Sequence, residues 1–353
     1  MGDWKKNLRV VDPYVPGEQP KQDNMVKLNT NENPYPPAPG VEKVLKSMET
    51  GDFRLYPKPD ARELVDALAE EYKVSANQIF VGVGSDDVLG MAFLTCFNGE
   101  KPILFPDITY SFYPVWADLF KIPYERPVLD ENFCIKKEDY FVENGGIVIA
   151  NPNAPTSIAM PLSDIEEIVA KNPDSVVIID EAYVDFGGES ALPLVGKYEN
   201  LLVVQTFSKS RSMAGMRIGF AIGNKELIDA MYAVRNSYNS YTMNMPSILC
   251  GVEAVIDRAY FEKTKKAIMA TREDTAKKLS ALGFKVLPSS ANFLFAAHES
   301  VPAEELFLML REKHIYVRYF KLPRISNYLR ITIGTPEQME KFLAELRTYL
   351  VFR

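Results

Sequence analysis

Histidine occurs only twice in this chain of 353 residues, as His298 and His314, and neither stands near a cysteine cluster. A zinc site or a histidine-dependent catalytic triad is therefore not expected. Cysteine is almost as scarce. Cys96, Cys134 and Cys250 are odd in number and far apart, which argues against a disulfide framework and for free thiols in a reducing, cytoplasmic setting. Excess positive charge is lacking too: 40 Lys and Arg face 47 Asp and Glu, a net charge of −7. Such a balance repels nucleic-acid backbones, so no nucleic-acid partner is expected. Long apolar runs are missing as well. Stretches such as Val176-Val177-Ile178-Ile179 are strand-sized, far short of a membrane span, so no membrane association is expected. Met1 to Val10 is charged and has no apolar core, so no secretory signal is expected there.

What remains is the mix of a globular protein, 47% hydrophobic and 25% charged, of a length that suggests about two domains. Residues 1–40 carry seven prolines, from Pro13 to Pro39; these deny long helices and suggest an extended arm that joins a smaller domain. Apolar spacing predicts helices from Val41 onward and over Ala61 to Tyr72. From there short β-branched runs alternate with helical patterns. Strands are predicted at Ile79–Val83, Ile103–Phe105, Ile147–Ala150, Val176–Asp180, Leu201–Thr206 and Ile218–Ile222, an order that implies a mostly parallel sheet flanked by helices. Residues 41–245 thus read as a large α/β domain and 246–282 as a helical connection, Pro246 towards Leu282. Residues 283–353 read as a small α+β domain with strands near Phe284–Leu287, Phe293–Ala296, Tyr316–Tyr319 and Tyr328–Ile333 and a closing helix over Pro336–Leu350.

Several strand ends carry chemistry. Val81-Gly82-Val83-Gly84 follows a strand, but Asp87 stands where a dinucleotide fingerprint needs Gly, and no Walker-type Gly-Lys-Ser/Thr motif occurs. The turn Gly82 to Asp86 leads into a helix starting at Asp87, so either its free N–H groups face an anion or Ser85 or Asp86 simply caps the helix. The strand 176–180 delivers Asp180-Glu181-Ala182-Tyr183 where open α/β sheets bind ligands. A later strand ends in Thr206-Phe207-Ser208-Lys209, and Arg217 opens the next. Two hydroxyls, a lysine and an arginine within twelve residues suit a phosphate and a reactive amine.

These residues resemble the fold type I, pyridoxal-phosphate-dependent aminotransferases. Asn151-Pro152-Asn153-Ala154-Pro155-Thr156 and Pro106-Asp107-Ile108-Thr109-Tyr110 fit that family in order and spacing. Pro13-Tyr14-Val15-Pro16-Gly17, Leu28-Asn29-Thr30-Asn31-Glu32-Asn33-Pro34 and Leu329-Arg330-Ile331-Thr332-Ile333-Gly334 resemble its histidinol-phosphate branch. The resemblance implies that Lys209 is the Schiff-base lysine and proton shuttle, that Asp180 keeps the pyridine nitrogen protonated, and that Tyr183 donates to the cofactor's phenolate oxygen. It gives Tyr110 the stacking position on the ring. It assigns the cofactor phosphate to the Ser85 and Asp86 amides, the Thr206 and Ser208 hydroxyls and Arg217, with Tyr56 reaching in from a partner subunit, hence a homodimer. It assigns substrate binding to Arg330, helped by Arg318, Tyr14 and Asn33, since one guanidinium can hold a carboxylate or a phosphate. The implied substrates are histidinol phosphate and the glutamate/2-oxoglutarate pair.

Among the residues themselves blander accounts stay open: Tyr110 packing on the next helix, Tyr56 buried at a turn before Pro57, Arg318 and Arg330 paired with surface carboxylates. The chain also departs from the family. Ala154 stands where an Asn normally meets the phenolate oxygen, Ser157 replaces a Gly, and Asn153 is the candidate substitute. Rival activities are a transaminase for aromatic amino acids, a threonine-phosphate decarboxylase of the same fold, and a cofactor-sensing regulator, the last without a DNA-binding module.

Overall fold

The computed structural model describes residues 4–22 and 24–352; Met1, Gly2 and Asp3 at the start of the charged N-terminal stretch lie outside them. The arm contributes one short strand, β1 (Val26–Lys27). Seven strands follow in the large sheet: β2 (Ile79–Gly82), β3 (Ile103–Leu104), β4 (Tyr124–Glu125), β5 (Gly146–Ala150), β6 (Val177–Asp180), β7 (Leu201–Thr206) and β8 (Gly219–Gly223). Their spatial order is β2-β8-β7-β6-β5-β3-β4. All pairings from β4 through β7 are parallel, and β8 runs antiparallel to both of its neighbours.

Every residue of β5, β6 and β7 is buried, because helices cover both faces. Alternation within each strand divides two cores. Ile147, Ile149, Val177, Ile179, Leu201 and Val203 face one side, together with residues of α1 (Pro39–Ser47), α2 (Arg62–Tyr72) and, later in the chain, Met243 to Val255. Val148, Ala150, Ile178, Leu202 and Val204 face the other, packed on α3 (Ser85–Cys96) and α4 (Phe112–Phe120). Helix α5 (Leu162–Lys171) joins the first core through Ile165, Ile168 and Val169, and α6 (Lys225–Tyr238) joins the second through Ile228 and Met231.

The span 246–282 is not one helix. It divides into α7 (Met245–Ile256) and α8 (Arg258–Ala281) at Asp257, whose side chain accepts from the Tyr260 N–H at 3.0 Å and caps α8. Helix α7 packs on α1 and α2 in the large core, whereas Ile268 and Leu279 of α8 belong to the core of the small domain.

That domain has an antiparallel sheet of order β12-β13-β10-β9, built from β9 (Phe284–Val286), β10 (Phe293–His298), β12 (Arg318–Tyr319) and β13 (Leu329–Thr332). Its remaining elements are β11 (Ile315–Tyr316), α9 (Ala303–Glu312) and α10 (Pro336–Val351), the last capped by a Thr335–Gln338 capping box. The run Tyr316–Tyr319, expected as one strand, changes partners at Val317: β11 pairs in parallel with β1 of the arm, and β12 pairs with β13. The arm segment 28–33 is thereby drawn between the two domains. No helix among the described residues is long and apolar enough to cross a membrane.

Candidate active site

The C-terminal ends of β6 and β7 put the two central groups beside the arm. Asp180 is 4% exposed; one carboxylate oxygen accepts from Tyr113 Oη at 2.8 Å and the other from the Ala182 N–H at 3.2 Å. Burial pushes its pKa up to about 6, against the pull of those two bonds and the charge of Lys209. Lys209 directs Nζ at the Thr30 carbonyl, 3.2 Å away, and lies 5.7 Å from the centre of the Tyr183 ring. Burial alone would raise the pKa of Glu32, on the same arm segment, but hydrogen bonds from Lys27 and Thr30 and the charges of Lys27 and Lys209 hold it below the usual carboxylate value. The Tyr183 hydroxyl accepts from Asn31 Nδ2 at 3.0 Å, and its ring meets Phe293 edge-on.

A second group lies at the start of α3. The N-cap of this helix is Gly84 and no side chain caps it, so the alternative in which Ser85 or Asp86 merely caps the helix does not hold. The first N–H groups of α3 are left for an anion. Asp86 accepts from Tyr110 Oη at 2.7 Å and from Arg217 Nη2 at 3.2 Å. A Cβ on Gly84 would stand 2.5 Å from Arg217 Nη2, and one on Gly219 only 2.4 Å from the backbone of Gly84 and Ser85. The two glycines therefore let strand, loop and guanidinium close on one another. Thr206 Oγ1 and Ser208 Oγ, 3.0 Å apart and nearly buried, belong to the same strand end.

The small domain contributes Arg330. Its guanidinium donates to the Asn29 carbonyl at 2.9 Å and lies over the rings of Phe293 and Phe320, while Nε is buried with no hydrogen-bond partner. Among the described residues it has no ion pair, and Arg318 is close enough that its charge, after burial itself, helps lower the pKa of Arg330. Pairing with surface carboxylates is thus not what these arginines do. A half-buried cation whose buried Nε lacks a partner is a place suited to an anion. Tyr14 stacks on Phe112 at 4.3 Å and lies 6.4 Å from Tyr110, so the arm reaches the aromatic wall of the same cleft. Tyr56 stands apart, 81% exposed and stacked on Tyr241, rather than buried at its turn.

Two expected roles change. Both N–H groups of the Asn153 amide are engaged, by the Ile108 carbonyl and Thr156 Oγ1 at 2.9 Å each, and its oxygen accepts from Thr109. Asn153 therefore ties two loops together and has no donor left to replace the one missing at Ala154. The Asn33 amide nitrogen donates to the carbonyls of Lys209 and Ser210, at 3.0 and 3.2 Å, and its oxygen accepts from the Tyr35 N–H. Asn33 thus clamps the backbone of Lys209 rather than facing a substrate.

The model of aminotransferases of class I and II matches residues 23–346. The chain belongs to this family. A histidinol-phosphate aminotransferase of Lactococcus lactis subsp. cremoris (strain SK11) is 50% identical over 347 residues, spanning 98% of both chains. Histidinol-phosphate aminotransferase 1 of Methylococcus capsulatus (strain ATCC 33009 / NCIMB 11132 / Bath) is 53% identical over 343 residues, 97% of this chain and 96% of its own. The crystal structure of histidinol-phosphate aminotransferase from Sinorhizobium meliloti in complex with pyridoxal-5'-phosphate shares the fold, with a TM-score of 0.85 at 21% identity over 93% of this chain and 91% of that one.

For an aminotransferase, these residues fit pyridoxal phosphate. The uncapped start of α3 and Arg217 suit its phosphate, buried Asp180 suits a protonated ring nitrogen, and Lys209, whose charge acts on Asp180, offers an amine. Sequence reasoning missed Tyr113 and Asn31. Tyr113 follows Tyr110 at helical spacing, the one local hint of a shared cleft; Asn31 lies in the arm segment 28–34 that carries the family resemblance, but nothing there marked its own role.

Proposed function

We propose that the chain is a homodimeric transaminase of the cytoplasm that exchanges an amino group between histidinol phosphate and 2-oxoglutarate, a step of histidine biosynthesis. The observation that carries this reading is Arg330, a half-buried guanidinium whose buried Nε has no hydrogen-bond partner and which has no carboxylate partner among the described residues, set across the arm from Lys209. A dianionic phosphate or a carboxylate satisfies it equally, as a site serving two unlike substrates requires. The near-full-length identity of about half to histidinol-phosphate aminotransferases supports the same substrate pair. The three free thiols suit a reducing cytoplasm.

Pyridoxal phosphate, when bound, supplies an aldehyde carbon for the amine and a ring that accepts the electron pair left on the substrate α-carbon. The chain's residues do the rest. Lys209 Nζ would take the proton from the substrate α-carbon and hold it until it is returned. Asp180 would hold the cofactor's ring nitrogen protonated, a positive charge that would in turn favour the ionised carboxylate. Tyr183 donates to the ring oxygen, and Arg330 with Arg318 fixes the substrate's anionic end so that the α-proton is aimed at Lys209. Tyr14 and Phe112 close the aromatic side of the cleft.

The test is a half-reaction. Histidinol phosphate added to the cofactor-loaded protein should remove the cofactor's visible absorption band and release one keto product per site. A band unchanged by histidinol phosphate but removed by aromatic amino acids would move the enzyme to another transaminase specificity, and carbon dioxide release from threonine phosphate would make it a decarboxylase. Lys209→Ala should lose the band and the turnover while keeping the fold.

A further inference from the structure

Ala154 leaves the cofactor's ring oxygen without one of its expected donors, and Asn153 cannot make up the loss. The remaining donor is Tyr183, and the structure treats its hydroxyl in an unusual way. The only hydrogen bond to it among the described residues comes from Asn31 Nδ2, at 3.0 Å, so the tyrosine oxygen is the acceptor and its own proton is free to point into the cleft. Asn31 cannot turn its amide round. Its Oδ1 accepts from Thr332 Oγ1 at 2.9 Å, its N–H donates to the same Thr332 oxygen at 3.0 Å, and its carbonyl accepts from Asn292 Nδ2 at 3.0 Å. The side chain is 1% exposed, and the backbone sits at φ +57°, a left-handed conformation that asparagine tolerates better than most residues. Thr332 is two residues from Arg330 on β13, so this chain of bonds runs from the substrate-binding strand to Tyr183.

We infer that Asn31, locked by Thr332, is a positioning residue that forces Tyr183 to act as a hydrogen-bond donor to the cofactor's ring oxygen and so replaces the donor absent at Ala154. This rests on the reading of Lys209 as the cofactor's amine. An amide N–H donating to a phenol oxygen makes that phenol a stronger donor in turn. In the loaded protein the proton that titrates the visible band lies on the Lys209 nitrogen, beside the ring oxygen. A strong donor to that oxygen draws off its negative charge, so the nitrogen proton leaves at lower pH. The charged and titratable groups facing this pair are Asp180 and Glu32 near Lys209, and Arg330, Tyr110 and Tyr113 near Tyr183; none of them is itself substituted in the variants at Asn31 and Thr332.

The experiment titrates the visible band of the loaded protein against pH. Asn31→Gly, which keeps the left-handed backbone at little cost, should raise the midpoint by about one pH unit. Thr332→Val should move it the same way, and Thr332→Ser, which keeps the hydroxyl, should not. In a Tyr183→Phe background Asn31→Gly should add nothing. An unmoved midpoint in both Asn31→Gly and Thr332→Val, or an equal shift with and without the Tyr183 hydroxyl, overturns the inference. Absence of any visible band in the loaded wild-type chain would instead overturn the assignment of Lys209.

Discussion

Asp180 shows how one residue can oppose stability for the sake of chemistry. Its carboxyl releases a proton near 3.8 when exposed but near 6 in the folded, cofactor-free chain, mainly because burial penalises the charge and despite the bonds from Tyr113 and the Ala182 N–H. Between those values the folded state binds more protons than the unfolded one, so stability falls as pH rises through roughly 4 to 6 and the deficit persists above that window. Asp180→Asn removes it. The cofactor-free variant should be more stable than the wild type at pH 7.5, by roughly 3 kcal/mol, and so unfold at a higher temperature, with the difference vanishing near pH 4. The same variant should lose nearly all turnover, because a neutral amide no longer favours the protonated ring nitrogen. Equal melting temperatures at pH 7.5 would mean that burial does not strain this carboxylate.

At the scale of elements, the approach of β8 to the α3 loop makes the anion site. Gly219 is the first residue of β8, and a methyl group there would stand 2.4 Å from backbone atoms of Gly84 and Ser85 that cannot swing aside. Gly219→Ala should push the loop off the Arg217 guanidinium and weaken cofactor affinity at least tenfold, about 1.4 kcal/mol, in equilibrium dialysis, while Gly215→Ala, with open space around it, should leave affinity unchanged. The strands that bear this site could be read from the sequence, since β6 and β7 are buried on both faces and so appear as apolar runs rich in Val, Ile and Leu ending in Asp180 and Thr206. By contrast β1 and β4 are two residues long, with pairing as their whole signal, and the break at Asp257 carries neither Gly nor Pro. The particular roles of Asn31 and Tyr113 were out of reach for a related reason: their partners lie 152 and 67 positions away, and local sequence does not show which distant residue a side chain will hold.

On the scale of the whole molecule, the proposed homodimer has a direct test in the exposed segment Phe53-Arg54-Leu55-Tyr56. Phe53, Leu55 and Tyr56 are all largely exposed, and the Tyr56 ring stacks on Tyr241 at 4.6 Å instead of turning inward. Apolar residues gathered in one surface stretch suit an interface, and in the proposed two-fold dimer that stretch would meet the other subunit. If Tyr56 serves the other subunit's cofactor phosphate, two defective chains can repair each other. Lys209→Ala lacks the amine and Tyr56→Ala lacks the tyrosine, so each homodimer has only damaged sites. In a mixed dimer one site combines the intact Lys209 of one chain with the intact Tyr56 of the other. Random reassociation of equal amounts makes half the dimers mixed, each with one repaired site, so the mixture should recover about a quarter of wild-type activity. The gain should appear only after the subunits are separated and rejoined in mild denaturant. Activity that stays at the mean of the two parents would place Tyr56 in its own chain's site and remove the reason for two-chain active sites.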